Sequence, residues 1–198
     1  MSGIEQTMAD DGRSVPGFRL HKTVVMVGMM GAGKTAVGRA VAGKLGVPFL
    51  DSDAEIEAAA NLSVPEIFER DGEAFFRKRE TEVITRLLEN ARGILSTGGG
   101  AFLAPQNRQL ISEHGVSVWL NAELELLWNR VKHKDTRPLL RTADPKATLT
   151  AIYEARVPLY AQADLSVACD SALSIDGMAE RVIAALAARP DVLERTND

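Results

Sequence analysis

Cysteine is almost absent from this chain of 198 residues: Cys169 stands alone, so no intrachain disulfide can form and no thiolate metal cluster can be assembled. That usage suits a reducing cytosol, and the thiol is expected to fill core space. Excess positive charge is also lacking. At a formal net charge of −4 the chain does not carry the basic balance of phosphate-backbone binders, which argues against a general nucleic-acid surface. No segment reaches the ~20 apolar residues of a membrane span. The first twenty residues hold Glu5, Asp10 and Asp11 and no apolar stretch of the kind a secretory leader needs. No internal repeat or low-complexity tract is visible. A cytoplasmic protein is expected, with neither nucleic acid nor membrane as partner. The 45% apolar and 25% charged content suits one domain with one sizeable core, residues 21–190, between a flexible leader, 1–20, and a C-terminal tail, 191–198.

Short apolar runs alternate with helical patterns, the signature of βαβ units and a mostly parallel sheet covered on both faces. The predicted strands are Thr23 to Val27, Pro48 to Leu50, Ile94 to Thr97, Val116 to Leu120 and Leu165 to Ala168. Helices are predicted from Thr35 to Leu45, ended by Gly46, and after Ser63, where Ser-Val-Pro-Glu has capping-box spacing. Others run from about Glu73 to Glu89, from Pro105 to His114, from a cap at Asn121 through Val131, from Asp144-Pro145 toward Tyr160, and from about Met178 to Ala188. The stretch 132–145 is charged and aperiodic; it reads as a functional lid or as a plain surface loop.

Directly behind the first strand stands Gly28-Met29-Met30-Gly31-Ala32-Gly33-Lys34-Thr35, which satisfies G-x-x-x-x-G-K-[ST] in the strand-then-helix context the motif requires. Glycines there let backbone N–H groups turn toward phosphate oxygens. Lys34 brings a mobile positive charge, Thr35 offers a hydroxyl to Mg²⁺, and the next helix adds the positive end of its dipole. Gly31, Ala32, Gly33, Lys34, Thr35 and Ala36 are the candidate nucleotide-binding residues.

Of three further clusters, two lie where strands end, the edge at which doubly wound sheets bind ligands, and the one holding Arg77 lies on a helix. Phe49-Leu50-Asp51-Ser52-Asp53 sets two carboxylates on the same side if the extended conformation persists, Asp51 toward a metal through water and Asp53 toward a hydroxyl substrate; alternatively one of them caps the next helix. Arg77, in Phe75-Phe76-Arg77-Lys78-Arg79-Glu80, is suited to clamp a carboxylate, or else forms a solvated i,i+4 pair with Glu73. Gly98-Gly99-Gly100 follows the third strand and either lets backbone amides approach a ligand closely or is a permissive turn. Arg137 in the lid segment can reach transferring phosphate oxygens; Arg130 and Arg156 complete the set.

In combination G-M-M-G-A-G-K-T, F-L-D-S-D, D-G-E-A-F-F-R-K-R-E, T-G-G-G, R-P-L-L and A-R-V-P-L-Y, in order from Thr23 to about Met178, resemble the shikimate kinase family of small P-loop kinases. The resemblance implies a three-layer α/β fold, P-loop NTPase-like, with a five-stranded parallel sheet in the order 2-3-1-4-5 and a lid. It implies ATP-dependent phosphorylation of the 3-hydroxyl of shikimate; a monomer is expected. Lys34, Asp53 and Arg137 would be catalytic, Thr35 and Asp51 would serve Mg²⁺, and Arg130 would lie against adenine. Asp53, Arg77, Gly98, Gly99, Gly100 and Arg156 would bind shikimate, with Val64, Phe68 and Phe76 around its ring. The third strand ends in glycines where many P-loop proteins carry a Walker-B carboxylate, a substitution the family shares. After the last strand Asp170 to Ile175 contains no arginine, so an adenine contact there falls to backbone. Rival readings are another small-metabolite P-loop kinase, such as a gluconate kinase, and a non-catalytic nucleotide-binding module.

Overall fold

Thr23–Val27 is buried at every position and β-branched at all but Met26, and such a run is stable only as a central strand covered on both faces. In the computed structural model, which describes residues 17–134 and 137–197, it is the middle of the sheet. Strand β1 spans Phe18–Leu20, β2 Thr23–Val27, β3 Phe49–Asp51, β4 Ile94–Ser96, β5 Gly115–Asn121, β6 Leu165–Ala168 and β7 Leu193–Arg195. The main sheet runs β3-β4-β2-β5-β6, all parallel, with Val24 opposite both Ile94 and Val116. Counted along the chain without β1, that order is 2-3-1-4-5.

The helices are α1 (Lys34–Leu45), α2 (Ser52–Ala60), α3 (Val64–Asp71), α4 (Glu73–Asn90), α5 (Pro105–His114), α6 (Leu124–Val131), α7 (Pro145–Tyr160) and α8 (Ile175–Ala187). Right-handed crossovers put α1 on one face and α4 and α5 on the other, because the chain reverses direction after β3. Helix α8 packs on α1 and α5 on α4, completing three layers. Fully covered side chains such as Ile94, Leu95, Leu120 and Leu127 fill the space between them, each contributing roughly 1.5–3 kcal/mol by burial. A second small cluster of Ile56, Ile67 and Phe76, flanked by Val64 and Phe68, joins α2, α3 and α4 beside the carboxyl edge.

Several predicted boundaries move for identifiable reasons. Asn121 does not cap a helix, because it extends β5 by pairing with Ala168; α6 starts at Leu124. Helix α8 starts three residues before Met178, where the Ser174 hydroxyl accepts from the Gly177 N–H at 3.0 Å. The third change concerns the ends. Residues 1–16 and 198 lie outside the described residues, but Phe18–Leu20 and Leu193–Arg195 are not loose: they form an antiparallel pair closing over the amino edge of the sheet. Leu20 and Leu193 are buried there, which repays ordering so short a ribbon.

Candidate active site

Helix α1 begins at the end of the glycine-rich loop, and Gly33 at its N-cap has φ 97°, a left-handed conformation that favours glycine. That turn aims the first amides of α1 into the mouth of the loop. Lys34 folds back over it, donating to the carbonyl oxygens of Gly28 at 2.8 Å and Met29 at 2.9 Å. Burial of the ammonium, helped by the positive charge of Arg137, lowers the Lys34 pKa to about 8. Next to it the Thr35 hydroxyl lies 3.5 Å from that of Ser96, at the end of β4.

The glycine triplet supplies the geometry that organises the other side. A Cβ on Gly98 would stand 2.9 Å from Asp53 Oδ2, one on Gly99 3.2 Å from an Arg156 Nη, and one on Gly100 2.7 Å from Arg77 Nη1. Each glycine is thus the floor beneath one predicted substrate residue, and Gly99 also approaches the Gly28 carbonyl of the phosphate loop. Asp53 and Lys34 line one cavity of about 610 Å³ with residues 31–37, Thr97, Gly98, Gly99, Arg130 and Arg137. Burial, reinforced by the negative charges of Asp51 and Glu57, raises the Asp53 pKa to about 6, against the pull of Lys34 and Arg77. Its Oδ1 is buried without a hydrogen-bond partner among the described residues.

A family model for shikimate kinase matches residues 30–187. A shikimate kinase of Ruegeria pomeroyi is 72% identical over 98% of this chain and 99% of its own length, and one of Cereibacter sphaeroides is 63% identical over 93% and 92%. Among solved structures, a shikimate kinase from Acinetobacter baumannii in complex with shikimate aligns with a TM-score of 0.77 at 37% identity, covering 82% of this chain and 90% of that one. The chain belongs to the shikimate kinase family.

For a shikimate kinase family member the two carboxylates are disposed differently from the simplest expectation. The extended conformation does not persist past Asp51: α2 starts at Ser52, Asp51 becomes its cap by accepting from the Ala54 N–H at 3.1 Å, and Asp53 falls in the first turn. Asp51 thus takes the capping role, and of the two only Asp53 lines the cavity. Arg77 does meet Glu73, at 3.6 Å, but it also donates to Glu80 at 2.9 Å, and the Glu80 side chain is only 1% exposed. Glu80 is a residue the sequence reading passed over. Its signal is phase: it occupies the same apolar stripe of α4 as Phe76, Ile84 and Leu87, where an acid needs a reason. Burial raises the Glu80 pKa while Arg77 opposes the rise.

Arg130 donates to the carbonyls of Gly31 at 3.0 Å and Ala32 at 3.3 Å, bracing the loop from outside while lining the cavity. Arg137 is half-buried there and its Nε has no partner among the described residues; Asp135 and Thr136 of the predicted lid lie outside those residues. Cys169 is not pure core filler. It lines the same cavity with its Sγ 3.9 Å from the Ala32 carbonyl oxygen, because β6 ends at the site edge.

Proposed function

We propose that this chain is a cytoplasmic, monomeric enzyme that transfers the γ-phosphoryl group of ATP to the 3-hydroxyl of shikimate, giving 3-phosphoshikimate and ADP. One observation carries the reading: in a member of this family, Asp53, Arg156 and Arg77 converge on Gly98, Gly99 and Gly100 beside the phosphate loop. A ring acid bearing hydroxyls at one end and a carboxylate at the other matches that set, with Asp53 at the hydroxyls and both arginines at the carboxylate. Val64, Phe68 and Phe76 offer the ring an apolar wall, in which the rings of Phe68 and Phe76 lie 4.8 Å apart.

In the reaction the 3-hydroxyl oxygen attacks the γ-phosphorus, and the bond from that phosphorus to the β,γ-bridging oxygen breaks. The electron pair leaves with ADP. The hydroxyl proton passes to Asp53, whose Oδ1, unpartnered among the described residues, orients the nucleophile. Residues 31–36 and Lys34 hold the phosphates, Arg137 faces the moving group, and Arg130 borders the nucleotide. Residues 132–145 serve as the lid that keeps water, the competing acceptor, away.

The residues present fit Mg²⁺. No group of three or more His, Cys, Asp or Glu among the described residues could hold a metal by itself, whereas one hydroxyl and one carboxylate beside a phosphate site suit an ion that keeps its water and binds through phosphate. Thr35 would hold it directly and Asp51 through water, and when bound it neutralises charge on the β- and γ-phosphates.

The test is coupled ADP production with ATP and Mg²⁺, with shikimate, with gluconate and with no acceptor. ADP release dependent on shikimate is expected. Faster turnover of gluconate would transfer the chain to another substrate class, and ATP binding without acceptor-dependent release would make it a non-catalytic module.

A further inference from the structure

Gly98 and Gly100 have their carbonyl groups engaged by backbone, accepting from the N–H groups of Ala101 at 3.1 Å and Leu103 at 3.2 Å. The Gly99 carbonyl between them is held by a side chain instead, the hydroxyl of Tyr160, 61 residues away. Tyr160 is the last residue of α7 and is fully buried. It stands one turn after Arg156 on the same helix face, and an Arg156 Nη and the Tyr160 hydroxyl both flank Gly99, 3.2 and 3.9 Å from where a Cβ there would stand. The phenol thus donates to the glycine loop beside the arginine. Its ring stacks with Trp119, at 6.3 Å between centroids, and Trp119 in turn borders Gly28 of the phosphate loop.

We propose that Tyr160 is a positioning residue for the acceptor: through its hydroxyl it fixes the Gly99 peptide against the Arg156 guanidinium, in the geometry that receives the substrate carboxylate. This rests on the reading of Arg156 as a carboxylate clamp in shikimate phosphorylation. Two features favour it over simple core filling. A tyrosine needed only for volume has no use for a hydroxyl that ties the glycine loop down beside Arg156. That hydrogen bond also holds the one peptide of the triplet that the backbone leaves unheld. Burial pushes the phenol pKa up, so the hydroxyl remains a donor throughout the neutral range.

Tyr160→Phe removes the oxygen and keeps the ring against Trp119. The KM for shikimate should rise about tenfold while kcat stays within about threefold and the KM for ATP stays unchanged, the pattern of lost acceptor binding. The penalty should shrink when shikimate is replaced by its carboxamide, which no longer presents a charge to Arg156. A purely structural role predicts a lower melting temperature with equal loss toward both acceptors and toward ATP, and that result, or a wild-type shikimate KM, overturns the inference. If Tyr160→Phe does not fold, Tyr160→His, which keeps a ring and an N–H but shortens the reach to Gly99, is read against the same outcomes. Wild-type enzyme in the same assay separates the two levels: no shikimate turnover by the wild type overturns the parent reading and this one with it, whereas wild-type turnover with an indifferent Tyr160→Phe overturns this one alone.

Discussion

At Asp53 the proposed catalytic role and folding make opposite demands. As the proposed proton acceptor its carboxylate must be ionised, yet burial and the neighbouring charges of Asp51 and Glu57 hold its pKa at about 6, above the ordinary 3.8. The native state therefore binds more protons at this site than the unfolded chain between those two values, so stability declines as pH rises through that window. The full penalty, about 3 kcal/mol, is present above pH 6 and absent below about pH 4. Asp53→Asn removes it. The variant should bind ATP normally and lose nearly all transfer, and its melting temperature should exceed that of the wild type at pH 7.5 but match it near pH 4. A difference between the two proteins that does not change with pH would contradict the assigned burial, and wild-type turnover would remove Asp53 from the chemistry.

At the scale of elements, helix α4 and the loop after β4 meet through Arg77 and Gly100. The helix was legible: its ends match the prediction within one residue, since Gly72 precedes it and its apolar stripe is regular. The burial of Glu80 was not, because a charge on a helix is read by default as solvated and only packing against the sheet shows otherwise. The triplet's purpose was half legible. Three glycines signal close approach, but which side chain approaches which glycine depends on how α2, α4 and α7 dock. Gly100→Ala tests that docking, since the new methyl would meet the Arg77 guanidinium, 2.7 Å from Nη1. The guanidinium must swing away, so the shikimate KM should rise at least about tenfold while nucleotide affinity is retained, as measured by titration calorimetry. Unaltered shikimate affinity would show that Arg77 has room to shift and still bind.

On the scale of the whole molecule the sheet separates two duties. Its carboxyl edge carries every loop of the site, and its amino edge is closed by the β1–β7 ribbon, in which Leu193 is 1% exposed. Leu193→Ala should therefore destabilise without touching chemistry. A leucine-to-alanine cavity costs about 2–5 kcal/mol, so the melting temperature should fall by roughly 5–15 °C, while kcat and both KM values at 25 °C remain those of the wild type. A change in KM with an unmoved melting temperature would mean that the two edges are coupled.

The sequence by itself determined the βαβ alternation, the five strands of the main sheet and the phosphate loop, because these are written in local terms: alternating burial, caps, and glycines at turns. Tertiary structure alone decided that Asp51 caps α2 while Asp53 faces the cavity, that Glu80 is buried behind Arg77, that the chain ends pair, and that Tyr160 holds Gly99. Each of those depends on contacts between residues brought together by packing or on where a helix begins, and hydrophobic periodicity records which face is buried without recording against what.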